Sequence, residues 1–467
     1  MTATARPEPE AAPAAPLPDD FRFGVATAAY QVEGAAREDG RGESIWDRFC
    51  RRPGAVANGD TGDVACDHYH RWRGDLDLMA AMGIESYRFS IAWPRVQPDG
   101  RGALNPKGVA FYRRLVEGLL RRGIEPVATL YHWDLPQARQ EAGGWVARDT
   151  AERFADYAEL MASALGDVVT QWITHNEPWV VAFLGHAEGT KAPGIRDWPT
   201  ALRVSHHLLL SHGLAVDALR AHGAPETQVG ITLNLAPARP ASSSEDDRAA
   251  AVRMDGHMNR WFLDPVLRGS YPEDMTALYE RRYGPLRDVR DGDLAIVSRR
   301  LDFLGVNYYF PLRVRYDPAA VPVAAGSPPP VTPTTAMGWE VDGDGLHELL
   351  ARLTRDYPAL PVYITENGAA YADPPPDTGV VDDPERLAYL QQHLAALERA
   401  IADGIDVRRY YAWSLLDNFE WEHGYAMRFG IVYVDFQTQR RFPKRSGLWY
   451  RDHIARARLS PPPPPRS

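Results

Sequence analysis

The chain has 467 residues, of which 45% are hydrophobic and 24% are charged, a composition that suits a globular protein with a large core and excludes an intrinsically disordered one. Its 62 acidic and 52 basic residues give a formal net charge of −10, which argues against a nucleic-acid partner. The length alone leaves two or three domains or one large barrel as alternatives.

The two ends differ in composition from the rest of the chain. Residues 1–19 form an Ala/Pro-rich tail without an apolar run of signal-peptide length, and residues 459–467 form a polyproline tail. Both are predicted to be disordered, with one folded domain over 20–458. Since no segment approaches the roughly 20 apolar residues that span a bilayer, we expect no membrane contact and a cytoplasmic location.

The cysteine content fits that location. Cys50 and Cys66 are too few for a disulfide framework, and the sequence contains no Cys-x-x-Cys. This favours a reducing compartment. A single Cys50–Cys66 bridge stays open as an alternative.

Eight apolar, β-rich runs follow one another along the chain, separated by helical patterns. They span residues 23–28, 86–93, 125–131, 171–178, 228–235, 301–309, 361–368 and 407–418. Near-continuous apolar runs of this kind are typical of parallel strands covered by helices. Eight of them predict an α/β fold, a single (β/α)8 TIM barrel. The alternative, a doubly wound sheet, normally shows a glycine-rich phosphate turn, and neither G-x-G-x-x-G nor a P-loop is present.

A short repeat supports the barrel. Gly-Ile followed by an acidic residue occurs at 83–85, 123–125 and 404–406, each time between a helical pattern and a predicted strand. Glycine in this position ends a helix in the left-handed conformation. Helix starts are predicted at Asn105-Pro106 and Asp383-Pro384, and a capping box at 149–152.

The predicted barrel has long βα loops. The repeats average about 55 residues, whereas a minimal barrel needs about 31. The additional residues are clearest in the loops at 242–247, 317–335 and 371–379. The last two follow strands, on the face where barrel enzymes carry their active sites.

Polar and aromatic residues stand at the predicted carboxyl ends of all eight strands. They are Gln31, Arg88, Trp93, His132, Trp133, Asn176, Glu177, Asn234, Asn307, Tyr309, Glu366, Asn367, Trp413, Asn418 and Glu420. Many hydrogen-bonding groups beside several indoles suit a ligand with hydroxyls and an apolar ring face, which describes a sugar. Glu177 and Glu366 are the two carboxylates that a glycosidase needs, and structural ion pairing is the alternative for each of them.

Other barrel chemistries fit less well. A Schiff-base enzyme needs a lysine at a strand end, and Lys107, Lys191 and Lys444, the three lysines of the chain, lie elsewhere. The histidines lack the spacing of a metal site, and no G-x-S-x-G is present. We therefore predict neither a metal nor a cofactor.

Several motifs resemble those of the family 1 glycoside hydrolases, the β-glucosidase family, over nearly the whole chain. They are FRFGVATAAYQVEG (21–34), RFSIAWPRV (88–96), YHWDLP (131–136), THNEP (174–178), NYY (307–309), ITENG (364–368) and WSLLDNFEW (413–421). Their order and spacing are those of the family.

The resemblance implies a role for each matching residue. Glu366 would be the nucleophile, held by Arg88 and Tyr309, and Glu177 the acid/base. Asn176 would reach the sugar 2-hydroxyl, Trp413 would be the stacking floor and Trp339 the aglycone platform. The remaining implied sugar-site residues are Gln31, His132, Trp133, Asn307, Glu420 and Trp421.

The implied function is a retaining β-glucosidase that hydrolyses terminal non-reducing β-D-glucosyl residues through a covalent glycosyl-enzyme. β-Galactosides and β-fucosides are further candidate substrates. Glu420, with no lysine after it before Lys444, favours a neutral sugar over a 6-phosphate. The expected partner is a small-molecule β-glucoside or oligosaccharide, and a homo-oligomer is compatible with the sequence. A sugar-binding protein without turnover and a transglycosylase are the competing hypotheses.

Overall fold

The computed structural model describes residues 17–376 and 379–459. Most of the predicted N-terminal tail (1–16) and the end of the polyproline tail (460–467) lie outside the described residues. Leu17, at the edge of the predicted tail, is buried in the hydrophobic core. The described chain ends with a helix that closes at Leu459.

Eight parallel strands form a closed barrel, which confirms the predicted fold. They are β1 (Arg22–Ala26), β2 (Ser86–Ser90), β3 (Glu125–Tyr131), β4 (Gln171–Asn176), β5 (Gln228–Asn234), β6 (Phe303–Asn307), β7 (Val362–Asn367) and β8 (Val407–Trp413). Neighbours in the barrel follow the order of the chain, and β8 pairs with β1 to close the ring. Seven of the eight predicted apolar runs contain one of these strands, and the run at 23–28 overlaps β1, which begins one residue earlier at Arg22.

Helices connect the strands on the outside of the barrel. One main helix follows each strand: His68–Ala81, Pro106–Leu120, Asp149–Leu165, Trp198–His222, Trp261–Arg268, Asp344–Asp356, Pro384–Ala402 and Arg445–Leu459. The connections also contain additional helices at Ala29–Val32, Ile45–Cys50, Ala57–Gly59, Trp93–Val96, Gln137–Glu141, Gly144–Val146, Val180–Glu188, Glu245–Asp255, Gly256–Arg260, Glu273–Tyr283, Asp293–Val297 and Trp421–His423. None of the helices in the described parts of the chain has both the length and the apolarity that crossing a bilayer would take.

The long βα loops carry structure of their own. Strands Ala238–Pro240, Leu312–Tyr316 and Ala325–Gly326 form a small sheet, and Val432–Asp435 pairs with Arg440–Pro443 in a hairpin after β8. Two of the predicted loops are thus partly ordered as regular elements: 317–335 contains a short strand, and 242–247 runs into a helix. Ser244 caps that helix by accepting a hydrogen bond from the Asp247 amide.

The glycine repeat ends three helices as predicted. Gly83, Gly123 and Gly404 have φ of +67°, +70° and +93°. The amide of the isoleucine after each glycine donates to the carbonyl five residues earlier, the bond that defines a Schellman motif. Helix starts are less uniform. Asn105 caps its helix through Lys107, whereas the predicted capping box at 149–152 is wrong, because Asp149 is already helical and its carboxylate accepts from Arg139 instead.

Gly83 and Gly74 provide a matched test of this helix end. An alanine Cβ would meet no atom within 4 Å at either position, so only the backbone conformation differs. Gly83→Ala is expected to lower the free energy of unfolding by about 1 kcal/mol, because φ is positive there. Gly74→Ala, inside helix His68–Ala81, should raise it by about 0.5–1 kcal/mol. Urea unfolding of both variants measures the difference, and shifts of the same sign would contradict the assignment.

The inside of the barrel has its own apolar cluster. Phe303 and Tyr363 stack there with ring centroids 4.0 Å apart, and the cluster continues through Tyr411 to Trp413 at the carboxyl end of β8. Trp413 is therefore supported from below by the barrel core. Both cysteines are free and buried, so the Cys50–Cys66 bridge is not formed.

Candidate active site

Two buried glutamates lie at the carboxyl ends of β4 and β7, two strands that β5 and β6 separate in the barrel. Glu366 belongs to β7, and Glu177 directly follows β4, where its amide donates to the Thr232 carbonyl at 2.9 Å. Glu177 is 6% exposed and Glu366 3% exposed. Burial of two carboxyl groups in one site requires partners or a chemical function for each.

Glu366 is held as an anion by two donors. Arg88 Nη1 donates to Oε1 at 2.6 Å, and the Tyr309 hydroxyl donates to Oε2 at 2.6 Å. Arg88, from β2, is itself buried and is braced by Thr129 and by the Thr365 carbonyl. Both oxygens of Glu366 are thereby fixed in direction, in the charged form that guanidinium and phenol groups favour.

A chain of amides links this ion pair to Glu177. Arg88 Nη2 and Asn307 Nδ2 both donate to Asn176 Oδ1, at 2.6 and 3.1 Å. Asn307 Nδ2 also donates to Glu177 Oε1 at 2.5 Å. The orientation of the Asn176 amide is therefore fixed, so its Nδ2 donates to His132 Nε2 at 3.0 Å.

His132 consequently carries no proton on Nε2, and its ring is neutral. Burial, together with the nearby Arg88 charge, lowers its pKa well below the usual value. Its Nδ1 and the Oε1 of Gln31 have no protein hydrogen-bond partner among the described residues. His132 Nδ1 is then a donor and Gln31 Oε1 is an acceptor, and both have hydrogen-bonding capacity left for hydroxyl groups.

The two carboxyl groups differ in proton affinity. Burial and then the negative charge of Glu366 raise the pKa of Glu177 to about 8. Burial also raises the pKa of Glu366, but Arg88 and Tyr309 oppose that rise. Glu366 therefore loses its proton first, and Glu177 keeps its proton near neutral pH.

A third carboxyl group, that of Glu420, lies in the loop that follows β8. Gln31 Nε2 donates to Asn418 Oδ1 at 3.0 Å, to the Phe419 carbonyl at 2.9 Å and to Glu420 Oε2 at 3.3 Å. Burial raises the pKa of Glu420 to about 8, and the charge of Lys191 opposes this. The contact joins the first and last βα connections of the barrel.

Aromatic rings enclose these polar groups. His132 is stacked against Trp413 with centroids 5.9 Å apart, and Trp133 and Trp421 lie 4.7 Å apart. The Trp133 indole donates to the Asn176 carbonyl at 2.9 Å. Trp339 is half-buried further out and stacks on Phe310. The arrangement provides flat apolar faces next to hydrogen-bonding groups, as a sugar ring requires.

Three bulky residues of the site have a strained backbone conformation. Trp133, Glu177 and Trp421 have φ of 78°, 49° and 50°, in the left-handed region. Bulky residues avoid this region at a cost of about 1–3 kcal/mol each. Each of the three lies in a loop of the site after a barrel strand, and its backbone conformation sets the direction of its side chain.

The structure does not bring every strand-end residue to this site. Trp93 packs on Tyr157 and donates to Gln97. Asn367 satisfies its amide with neighbouring tyrosines and the Tyr308 carbonyl. Both therefore belong to the packing around the barrel. The Asn234 side chain donates to the sulfur of Met258 at 3.8 Å.

Three residues of the site were not among those predicted from the sequence. Thr365 donates to Asn307 Oδ1 at 2.7 Å, and Thr129 accepts from Arg88. Lys191 reaches the neighbourhood of Glu420 from the loop after β4, which the sequence did not indicate because the lysine is far from any strand end. Among residues 17–376 and 379–459, no group of side chains has the make-up of a metal site.

Comparison with known proteins gives the same picture. Residues 14–458 match the model of glycosyl hydrolase family 1. The chain is 50% identical over 443 residues to β-glucosidase A of Acetivibrio thermocellus, covering 94% of this chain and 98% of that protein. It is 45% identical over 459 residues to the bifunctional β-D-glucosidase/β-D-fucosidase of Bifidobacterium breve, covering 94% and 98%.

A solved structure extends the likeness to three dimensions. The β-glucosidase from Thermotoga maritima in complex with glucoimidazole superimposes with a TM-score of 0.91 at 44% identity, covering 95% of this chain and 99% of that one. The family match spans nearly the whole described chain, and it confirms the resemblance of the motifs. The chain belongs to glycosyl hydrolase family 1.

Proposed function

We propose that this protein is a retaining β-glucosidase that releases terminal non-reducing β-D-glucosyl residues from small β-glucosides or oligosaccharides. The observation that carries the proposal is the unequal pair of carboxyl groups. Glu366 is bound by a guanidinium and a phenol, and Glu177 is buried with a pKa of about 8. The names of its relatives support the same activity.

The first half-reaction uses both groups in their resting states. A carboxylate oxygen of Glu366 attacks the anomeric carbon and forms a glycosyl ester, while the glycosidic C–O bond breaks. Glu177 transfers its proton to the departing oxygen, so the aglycone leaves as a neutral alcohol.

The second half-reaction reverses the role of Glu177. Ester formation removes the negative charge of Glu366, one of the causes of the high pKa of Glu177. The pKa of Glu177 then falls, and its carboxylate accepts a proton from the attacking water. Water oxygen bonds to the anomeric carbon, the ester bond breaks, and Glu366 returns as the anion held by Arg88. Two inversions give retention.

The remaining site residues are proposed to hold the sugar. Trp413, supported by the barrel core, would be the floor for the ring, and Asn176 would reach the 2-hydroxyl. Trp339, half-buried at the rim, would support the aglycone. The other hydroxyl partners are proposed to be Gln31, His132, Trp133, Glu420 and Trp421, with Asn307 and Tyr309 ordering the carboxyl groups. We also propose a single catalytic domain over 20–458 and a cytoplasmic location, which the two free thiols support.

Activity on nitrophenyl β-glucoside tests the proposal directly. The purified protein is expected to release β-glucose as the first product. Proton NMR detects this anomer if spectra are recorded before mutarotation. β-Galactoside and β-fucoside substrates and an added alcohol acceptor measure the breadth of the reaction and the share of transglycosylation. α-Glucose as the first product would contradict retention, and sugar binding without hydrolysis would favour the binding-protein hypothesis.

The activity is expected to decline in mild alkali. Glu177 acts as an acid, so kcat/KM should be highest where Glu366 is ionised and Glu177 is still protonated. It should therefore fall as pH rises through about 8, the pKa of Glu177. The pH profile of kcat/KM on an aryl β-glucoside measures this. An increase that continues above about pH 9 would exclude a buried acid of this pKa.

A further inference from the structure

Lys191 crosses from one loop of the site to another. It lies between β4 and helix Trp198–His222, and its side chain is only 12% exposed. Its Nζ is 2.5 Å from Glu422 Oε2 and 5.6 Å from the ring centroid of Trp133. Glu422 follows β8, so the ion pair joins residues 231 positions apart in the sequence.

Glu422 belongs to the turn that carries two proposed sugar-binding residues. Glu420 and Trp421 precede it directly, and Trp421–His423 form a single 3-10 turn. Trp421 has a positive φ of 50°, a conformation that the surrounding structure must maintain. Gln31 holds one side of this turn through Phe419 and Glu420. The Lys191–Glu422 pair holds the other side from a different loop.

The charge of Lys191 also acts on the carboxyl groups of the site. It opposes the rise in pKa of both Glu420 and Glu177. Because the ion pair is largely shielded from solvent, its attraction is stronger than that of an exposed pair. The Lys191 ammonium group is already paired with Glu422, which argues against a role for Lys191 as a ligand of a phosphorylated sugar.

We propose that Lys191 is a positioning residue for the glucose site, acting through Glu422 to hold Glu420 and Trp421 in place. The proposal rests on the proposed function, because it assumes that Glu420 accepts hydrogen bonds from the 4- and 6-hydroxyls of the bound sugar. It makes a loop residue outside the family motifs a determinant of selectivity for sugars that carry a 6-hydroxymethyl group. A sugar without that group depends less on the exact position of Glu420.

The test compares nitrophenyl β-glucoside with nitrophenyl β-xyloside, which lacks the 6-hydroxymethyl group. Lys191→Met keeps the apolar stem and removes the charge, and Glu422→Gln removes the partner charge. Each is expected to lower the glucoside-to-xyloside ratio of kcat/KM about 10-fold, as for one lost charge-assisted hydrogen bond. The double variant should match either single variant within about 3-fold, because the pair acts as a unit. Lys191→Arg should restore most of the ratio.

Lys107→Met is the matched control, since Lys107 pairs with Asp39 on the surface and its side chain is 68% exposed. It should leave the ratio unchanged, and thermal unfolding should show that every variant is folded. A ratio within about 2-fold of wild type in Lys191→Met would overturn the proposal, as would losses that multiply in the double variant. Hydrolysis of a 6-phospho-β-glucoside that Lys191→Met abolishes would make Lys191 a phosphate ligand instead. Absence of any glycosidase activity in the wild type would overturn the proposed function itself.

Discussion

Glu366→Ala is expected to lower kcat on aryl β-glucosides by about 10⁵-fold or more, because no ester can form. The substitution leaves a small space facing the Arg88 guanidinium, which loses the carboxylate it binds at 2.6 Å. Azide is small and negatively charged, so it should enter this space and attack the anomeric carbon in place of Glu366. A single displacement inverts the configuration, and the expected product is α-glucosyl azide.

The product, identified by NMR, decides whether Glu366 is the nucleophile. β-Glucosyl azide, or no rescue by azide in a folded variant, would contradict that role. Glu125→Gln is the matched control: Glu125 is a partly buried barrel glutamate paired with Arg409 at 2.9 Å, at the start of β3 and thus at the opposite end of the barrel. That variant should keep wild-type turnover.

Glu177→Gln is expected to have an effect that depends on the leaving group. The amide keeps an oxygen for the hydrogen bond from Asn307 but has no proton to give. With a poor leaving group such as the sugar of cellobiose, turnover should fall about 10²–10⁴-fold. With a dinitrophenyl group, which leaves without protonation, the first step should stay fast and the glycosyl ester should accumulate.

Azide distinguishes this variant from a general loss of activity. It needs no general base, so it should accelerate turnover of the dinitrophenyl substrate and give β-glucosyl azide by attack on the ester. A burst of dinitrophenol measures accumulation of the ester. Equal losses on both kinds of leaving group, without a burst, would show that Glu177 is not the acid/base.

The sequence was most informative where one local pattern determines the structure. Near-continuous apolar runs predicted all eight strands, and helix-ending glycines such as Gly83 predicted three helix ends, because strand burial and positive φ depend on few residues. The capping box at 149–152 was wrong because Arg139, which lies 10 residues earlier and outside the helix, binds the Asp149 carboxylate. Local propensity does not include such tertiary contacts.

The site shows the same division. The ends of parallel strands converge, so Glu177, Glu366 and their motif neighbours could be placed together in advance. Trp93 and Asn367 also stand near strand ends but satisfy their polar groups elsewhere. Lys191 was missed for the opposite reason, since a long loop returns it to the site from a position with no strand nearby. Side-chain direction and loop path are three-dimensional properties that the order of residues does not state.

The contacts between the loops after β1 and β8 make ligand binding at the proposed sugar site a measure of folding. Gln31 contacts Asn418 and Glu420, which lie 387 and 389 positions later in the chain, so these contacts exist only after the first and last strands have paired. A glucose-shaped inhibitor that binds only the closed ring should stabilise it by about 2.7 kcal/mol at one hundred times its dissociation constant. Inhibitor binding during refolding would therefore report when the ring closes, and two fragments of the chain should recover that binding only when they reassemble this junction.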